Sequence, residues 1–242
     1  MPRFFVSKDQ IDGDEIRLVG DDARHIARSL RMAVGDTLTV SDGEGVDYHC
    51  RLERIRDEEC ILTATESCPS SAESPISISL FMAYPKGDKL EVVIQKAVEL
   101  GADRIVPFES ERCIKRPKAD KLDKQLARLS RIAEEAAKQC GRAKLPTVAA
   151  PMSYGEMLRE ATKADKAIFC YEAEDGLTLK GALSGEMRSV SVIVGCEGGF
   201  SPDEAERAKE AGVISVSLGR RILRCETAPS FVLAALAYEF EL

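Results

Sequence analysis

Two segments combine glycine, acid and arginine in a way that could hold a ligand. The first is Gly195-Cys196-Glu197-Gly198-Gly199-Phe200, which follows the β-branched run Val190-Ser191-Val192-Ile193-Val194. It precedes Ser201 and Glu204, a capping box, with Pro202 at the first helical position. Glycines let a backbone come close to a bound molecule, and in open α/β sheets ligands collect where strands end and helices begin. The loop lacks the G-x-G-x-x-G fingerprint, and Glu197 would place a negative charge inside a pyrophosphate cradle. A phosphate-bearing ligand is therefore disfavoured. A ligand that joins an adenosine to a positive sulfonium tolerates that carboxylate and can hydrogen-bond to the loop backbone. The second segment, Leu218 to Thr227, again lies between a strand (Val213 to Ser217) and a helix. Both loops are thus expected at the same edge of a sheet. There Ile222 and Leu223 could wall an adenine ring amid Arg220, Arg221, Arg224, Glu226 and Thr227. Taken singly, the first loop reads more readily as a tight strand-to-helix turn, and the second fits a surface ion-pair cluster as well. Their convergence favours a ligand site.

Two regions of different pattern must position these loops. From Phe4 to about Thr65, short alternating stretches such as Thr37-Leu38-Thr39-Val40 and Cys60-Ile61-Leu62-Thr63 are divided by Asp12-Gly13, Gly35-Asp36 and Asp42-Gly43. These predict strands and tight turns, best satisfied by a small β-barrel. Asp21 to Arg31 interrupts them as a helix with Ala23, Ile26, Ala27 and Leu30 on one face and Arg24, Arg28 and Arg31 on another. Residues 67–75 are polar, with Pro69 and Pro75, and read as a linker. The boundary is expected there, giving domains over residues 1–70 and 71–242. Beyond it strands alternate with helices: strand 76–84, helix Leu90 to Leu100 closed by Gly101, strand Arg104 to Phe108, helix Lys121 to Cys140, helix Tyr154 to Ala164 and strand Lys166 to Cys170. The capped helix after the glycine loop ends at Gly212. A last helix, with Pro229 in its first turn, runs to Phe240 and is expected to pack through Phe231, Val232, Ala234, Ala235 and Tyr238. Such alternation predicts an α/β domain with a mainly parallel sheet covered on both faces.

The 242 residues carry a net charge of −7, which at first opposes a nucleic-acid partner. The distribution reverses that reading, because Arg112 to Lys144 holds eleven Lys or Arg against four Asp or Glu. One basic face could meet RNA while the rest of the chain stays acidic, although a solvated helix face fits the same run. No stretch approaches the roughly 18 apolar residues of a membrane span, and the first residues lack the apolar run of a secretion signal, so no membrane partner and a cytoplasmic location are expected. The eight cysteines form no C-x-x-C pair and only His25 and His49 could join them, so no metal is expected and reduced, mostly buried thiols are.

These residues together resemble the RsmE-type 16S ribosomal RNA (uracil-N3) methyltransferases of the SPOUT superfamily, over nearly the whole chain. The resemblance rests on Gly195-x-Glu197-Gly198-Gly199 and on Leu218-Gly219-x-Arg221-Ile222-Leu223-Arg224-x-Glu226-Thr227-Ala228. It is supported by Ile94-Gln95-Lys96-Ala97-Val98-Glu99-Leu100-Gly101, Ser110-Glu111-Arg112, Gln139-Cys140-Gly141-Arg142 and His25 to Arg31. Cys196 and Arg220 stand where the family commonly has proline, and Cys225 where threonine is common. The resemblance implies a PUA-like N-terminal barrel, a C-terminal domain with a trefoil knot, a homodimer, S-adenosyl-L-methionine as cofactor, and 16S rRNA of the small subunit, at uridine 1498, as substrate. Cofactor binding then falls to Gly195, Cys196, Glu197, Gly198, Gly199, Leu218, Gly219, Ile222, Leu223, Arg224, Thr227 and Ala228. RNA binding falls to Arg24, His25, Arg28, Arg31, Arg112, Gln139 and Arg142.

Methylating uracil N3 requires removing a weakly acidic imide proton and aligning the nitrogen for displacement. Glu197, Glu226 or a water are the candidate bases, and Arg142 and Arg224 could stabilise charge on the uracil carbonyls or hold a phosphate. A non-catalytic RNA-binding assembly factor is the alternative of a different class; a nucleotide-dependent oxidoreductase is disfavoured by the missing fingerprint.

Overall fold

A computed structural model describes residues 1–56, 58–114 and 119–242. Lys115, Arg116 and Lys118 of the basic run lie outside the described residues. The chain divides into two compact units, residues 1–73 with 137–145 and residues 74–136 with 146–242.

In the first unit, β1 (Arg3–Phe5), β2 (Ile11–Asp12), β3 (Glu15–Val19), β4 (Thr37–Ser41), β5 (Val46–Ile55) and β6 (Glu59–Pro69) form one sheet in the order β1-β4-β5-β6-β3-β2. Only β1 and β4 run parallel. The alternation along β3 buries Ile16 and Leu18, which join Phe4, Leu38, Val40, Leu52 and Leu62 in one core. Among the described residues no ladder joins β1 to the two-residue β2, so the expected barrel is not closed by hydrogen bonds. The helix predicted over 21–31 divides into α1 (Asp21–Arg24) and a π-helical stretch His25–Leu30, ended by Arg31 at φ 52°. The wider π turn breaks the 3.6-residue period, so Ala23 and Ile26 are buried as expected while Leu30 swings out. The predicted linker begins later than its composition implies, because β6 continues through Pro69 as the partner of β5.

The second unit contains β7 (Ser77–Ala83), α2 (Lys89–Glu99), β8 (Arg104–Glu109), most of α3 (Leu122–Cys140), β9 (Thr147–Val148), β10 (Met152–Ser153), α4 (Tyr154–Ala161), β11 (Lys166–Cys170), α5 (Leu179–Ala182), β12 (Ser189–Val194), α6 (Pro202–Glu210), β13 (Ile214–Val216) and α7 (Thr227–Glu241). Among the described residues its seven strands are all parallel, in the order β10-β8-β7-β12-β11-β13 with β9 beside β8. β7 and β12 occupy the middle and are nearly continuous apolar runs, as strands covered on both faces must be. α7 departs from expectation. Its buried stripe is Ala228, Pro229, Val232, Leu233 and Leu236, which shares only Val232 with the predicted face, and Phe231 and Tyr238 are left 43% and 73% exposed. Among the described residues, no helix is long and apolar enough to cross a membrane.

Candidate active site

β12 delivers the first loop. Gly199 N–H bonds to Cys196 O at 3.0 Å, which folds the loop back on itself, and Gly199 at φ 63° makes the turn that L side chains resist. A Cβ on Gly195 would lie 3.1 Å from the Phe200 ring and 3.2 Å from the Gly199 backbone, so any larger residue would force the packed loop to give way. Phe200 anchors the far end, buried against Phe169 and stacked on Phe108. Ser201 caps α6, and buried Glu204 accepts N–H bonds from both Ser201 and Glu111, which fixes the segment after β8 beside the loop. From that segment Arg112 donates to Gly198 O at 2.8 Å. The second loop leaves β13 and enters α7, closed by Thr227 and Ala228 N–H bonds to Arg224 O.

Between the two loops lies a cavity of about 510 Å³, wholly within the second unit. Every residue expected at the cofactor lines it except Thr227. Ile222, expected as an apolar wall, is 86% exposed, whereas Leu223 is half-buried. Two chemically important lining residues are absent from the sequence expectation: Lys89, the first residue of α2, and Glu172, just beyond β11. Each follows a strand of the same sheet, so a strand-end position was their only sequence signal.

Lys89 organises the acids of both loops. Its ammonium lies 3.1 Å from Glu197 Oε1 and 3.1 Å from Glu226 Oε2, with Cys225 Sγ at 3.8 Å. Those two carboxylates keep Lys89 above the ordinary lysine range. Burial pushes Glu197 up, but hydrogen bonds from its own N–H, from Lys89 and from the Lys86 N–H bring it below the usual carboxylate range. Glu226 is also held low, first by its own N–H, then by the Cys225 thiol and Lys89 against the opposing effect of burial. Burial and the neighbouring Glu226 push Cys225 up to about 12, so it stays a thiol. Cys196 shares Ser110 Oγ with Cys113, at 4.0 and 3.4 Å, and its thiol is held low chiefly by the bond from Cys113. Six of the eight cysteines are buried, and among the described residues no cluster of His, Cys, Asp and Glu could hold a metal.

Comparison with known proteins decides among the classes that such a cavity allows. Residues 72–237 match the family described as RNA methyltransferase domain, and residues 18–64 match the RNA methyltransferase PUA domain. The chain is 32% identical to the ribosomal RNA small subunit methyltransferase E of Bacillus subtilis, over 100% of this chain and 98% of the relative. The Synechocystis protein of the same name is 32% identical over 97% of this chain and 76% of the relative. A crystal structure of the Neisseria gonorrhoeae methyltransferase E, bound to S-adenosyl methionine, superposes with a TM-score of 0.89 at 32% identity, covering 99% of this chain and 98% of that one. The chain belongs to the small subunit methyltransferase E family.

The remaining candidates separate sharply. His25, Arg28 and Arg31 are exposed in the first unit, and Arg24 pairs with Asp21 and, at 3.6 Å, with Glu58. Gln139 is exposed. Arg112 serves the glycine loop, as its bond to Gly198 O shows. Arg142 is a correction: expected as an electrostatic catalyst or RNA contact, it is 2% exposed and bonded to Glu73 through Nη2 at 2.8 Å. It lines no part of the cavity. A basic residue beside a glycine turn carries no sequence mark of burial, and its buried partner, Glu73, sits in the predicted linker.

Proposed function

We propose that this chain transfers a methyl group from S-adenosyl-L-methionine to N3 of a uridine in 16S rRNA of the small ribosomal subunit, uridine 1498 by family resemblance. The observation that carries the reading is one cavity bounded by both loops, with glycine backbone, apolar Leu218, Leu223 and Ala228, and the acids Glu172 and Glu197 beside Lys89, Arg221 and Arg224. An adenosine fits the apolar wall, and a positive sulfonium fits beside the Glu172 and Glu197 carboxylates. When bound, the cofactor supplies an electrophilic methyl group on positively charged sulfur. Every other task falls to the protein.

Gly195 to Gly199 offer backbone groups at close range, Leu218, Gly219, Ile222 and Leu223 line the adenosine side, Arg224 and Ala228 close the second loop, and Cys196 sits beneath the first. Thr227 supports the site from the start of α7. Glu197 and Glu226 are ionised at neutral pH, so either can receive the imide proton, as can water. Neither binds a proton strongly, so proton removal depends on stabilising the anion left behind.

Residues 1–70 act in this reading as a PUA-like barrel that presents Arg24, His25, Arg28 and Arg31 to RNA, with Gln139 and Arg112 as further contacts. Residues 74–136 and 146–242 form the catalytic domain, the expected 71–242 less the stretches that belong to the first unit. The trefoil-knotted backbone of that domain rests on the family resemblance. A homodimer is supported by α2 and α7, which pack on each other yet leave Val92, Phe231 and Tyr238 turned outward. The protein works in the bacterial cytoplasm, where its ribosomal substrate is. The test is incubation with labelled S-adenosylmethionine and small subunits lacking the modification, followed by nucleoside mapping. The expected product is N3-methyluridine at one site. Tight cofactor binding without methyl transfer would leave the assembly-factor reading standing instead.

A further inference from the structure

Glu197 and Glu226 share one cation, whose third donor is held only by a thiol sulfur. An ammonium has three donors. Two of them, on Lys89, reach Glu197 and Glu226, and the third faces Cys225 Sγ at 3.8 Å, a weak acceptor that a carbonyl oxygen outcompetes. The Lys89 side chain is 35% exposed, with Glu197 and Glu226 at 28% and 25%, so the group is both held and reachable. Three elements fix it: the start of α2, the glycine loop and the last turn before α7. Nothing in this arrangement makes Lys89 a base, because both neighbours favour its charged form.

We propose that Lys89 is the electrostatic catalyst of the reaction, its third N–H donating to a uracil carbonyl oxygen and stabilising the imide anion. This inference rests on the uracil-N3 reading above. In the step concerned the N3–H bond breaks and the proton passes to the Glu226 carboxylate or to water. The electron pair stays on the imide, delocalised over N3, O2 and O4, where the Lys89 ammonium meets it. Glu197 and Glu226 then act as positioning residues for that ammonium as well as neighbours of the proton. Cys225 remains a neutral thiol and does not compete for the charge. The charged and titratable groups facing Lys89 are thus Glu197, Glu226 and Cys225.

The experiment uses the full chain with small ribosomal subunits, comparing wild type, Lys89→Gln and Lys89→Arg. Calorimetry measures S-adenosylmethionine affinity, and single-turnover methyl transfer is followed from neutral to alkaline pH. Removing one donor to a developing oxyanion lowers turnover by roughly 10²- to 10³-fold, and Lys89→Gln is expected to show a loss of that order at neutral pH with cofactor affinity little changed. The deficit should shrink as pH rises, because the uracil then ionises without help. Lys89→Arg should recover part of the rate. A deficit that is constant across pH, or a matching loss of cofactor affinity, would overturn the proposal and leave Lys89 a structural clamp. Failure of the wild type to produce N3-methyluridine would sink the underlying reading, and the Lys89 role with it.

Discussion

Replacing Glu73 by alanine separates a structural from a catalytic Arg142. Glu73 Oε2 accepts from Arg142 Nε at 3.2 Å and Nη2 at 2.8 Å, while Oε1 accepts from the N–H groups of Ala143 at 2.8 Å and Lys144 at 2.9 Å. The two side chains are only 3% and 9% exposed. Burial alone would raise the Glu73 carboxyl, yet the guanidinium and the two amides hold it below its ordinary range, so the pair is charged in the folded state. Truncating one member of a buried pair costs about 3–5 kcal/mol, because the remaining charge loses its compensation. For a chain of this size each kcal/mol moves the melting temperature by roughly 2–4 °C, so Glu73→Ala should lower it by about 6–20 °C. Calorimetry and urea unfolding followed by circular dichroism measure this. The double variant Glu73→Ala with Arg142→Met removes both charges and should recover much of the loss. It should also retain methyl transfer at a temperature where it is folded. A Glu73→Ala cost below about 1 kcal/mol, at the level of an exposed pair, or a folded but inactive double variant, would refute the structural assignment.

Gly199→Ala must place a side chain at φ 63°, with its Cβ 2.3 Å from Glu172 Oε1 unless that flexible carboxylate moves. The left-handed conformation alone costs about 1–2 kcal/mol, so S-adenosylmethionine affinity measured by calorimetry should fall about 5- to 30-fold; unchanged affinity would remove the loop from the site. Asp47, bonded to Arg3 and Ser41, and Glu73 both have carboxyls lowered in the folded state. Their stabilisation is full above the unfolded values of about 4 and is lost as pH falls through the depressed folded ones, so the melting temperature should hold from neutral pH to about 5 and drop below about 4. Phe231→Glu with Tyr238→Glu should yield monomers in sedimentation velocity while preserving circular dichroism, because neither side chain is buried within the chain; persistence of dimers would place the subunit contact elsewhere.

Legibility of the site follows from which physical signals are local. The capping box at Ser201 and Glu204, the β-branched run of β12 and the glycines after it are decided within a few residues, and their structure follows the sequence closely. So does the convergence of the two loops, because strand-to-helix turns of a parallel sheet share one edge. The π turn at His25–Leu30 and the shifted face of α7 were not legible for the same reason in reverse: each depends on what lies against the helix, not on the helix itself. Lys89 marks the limit most clearly. It lies 136 positions from Cys225 and became a neighbour of Glu197 and Glu226 only because β7 pairs with β12, and no local period announces that pairing. Strand order therefore does more than support the loops. By setting β7 beside β12 it brings a cation between two acids that would otherwise repel each other, and so determines the charge balance where the two loops meet.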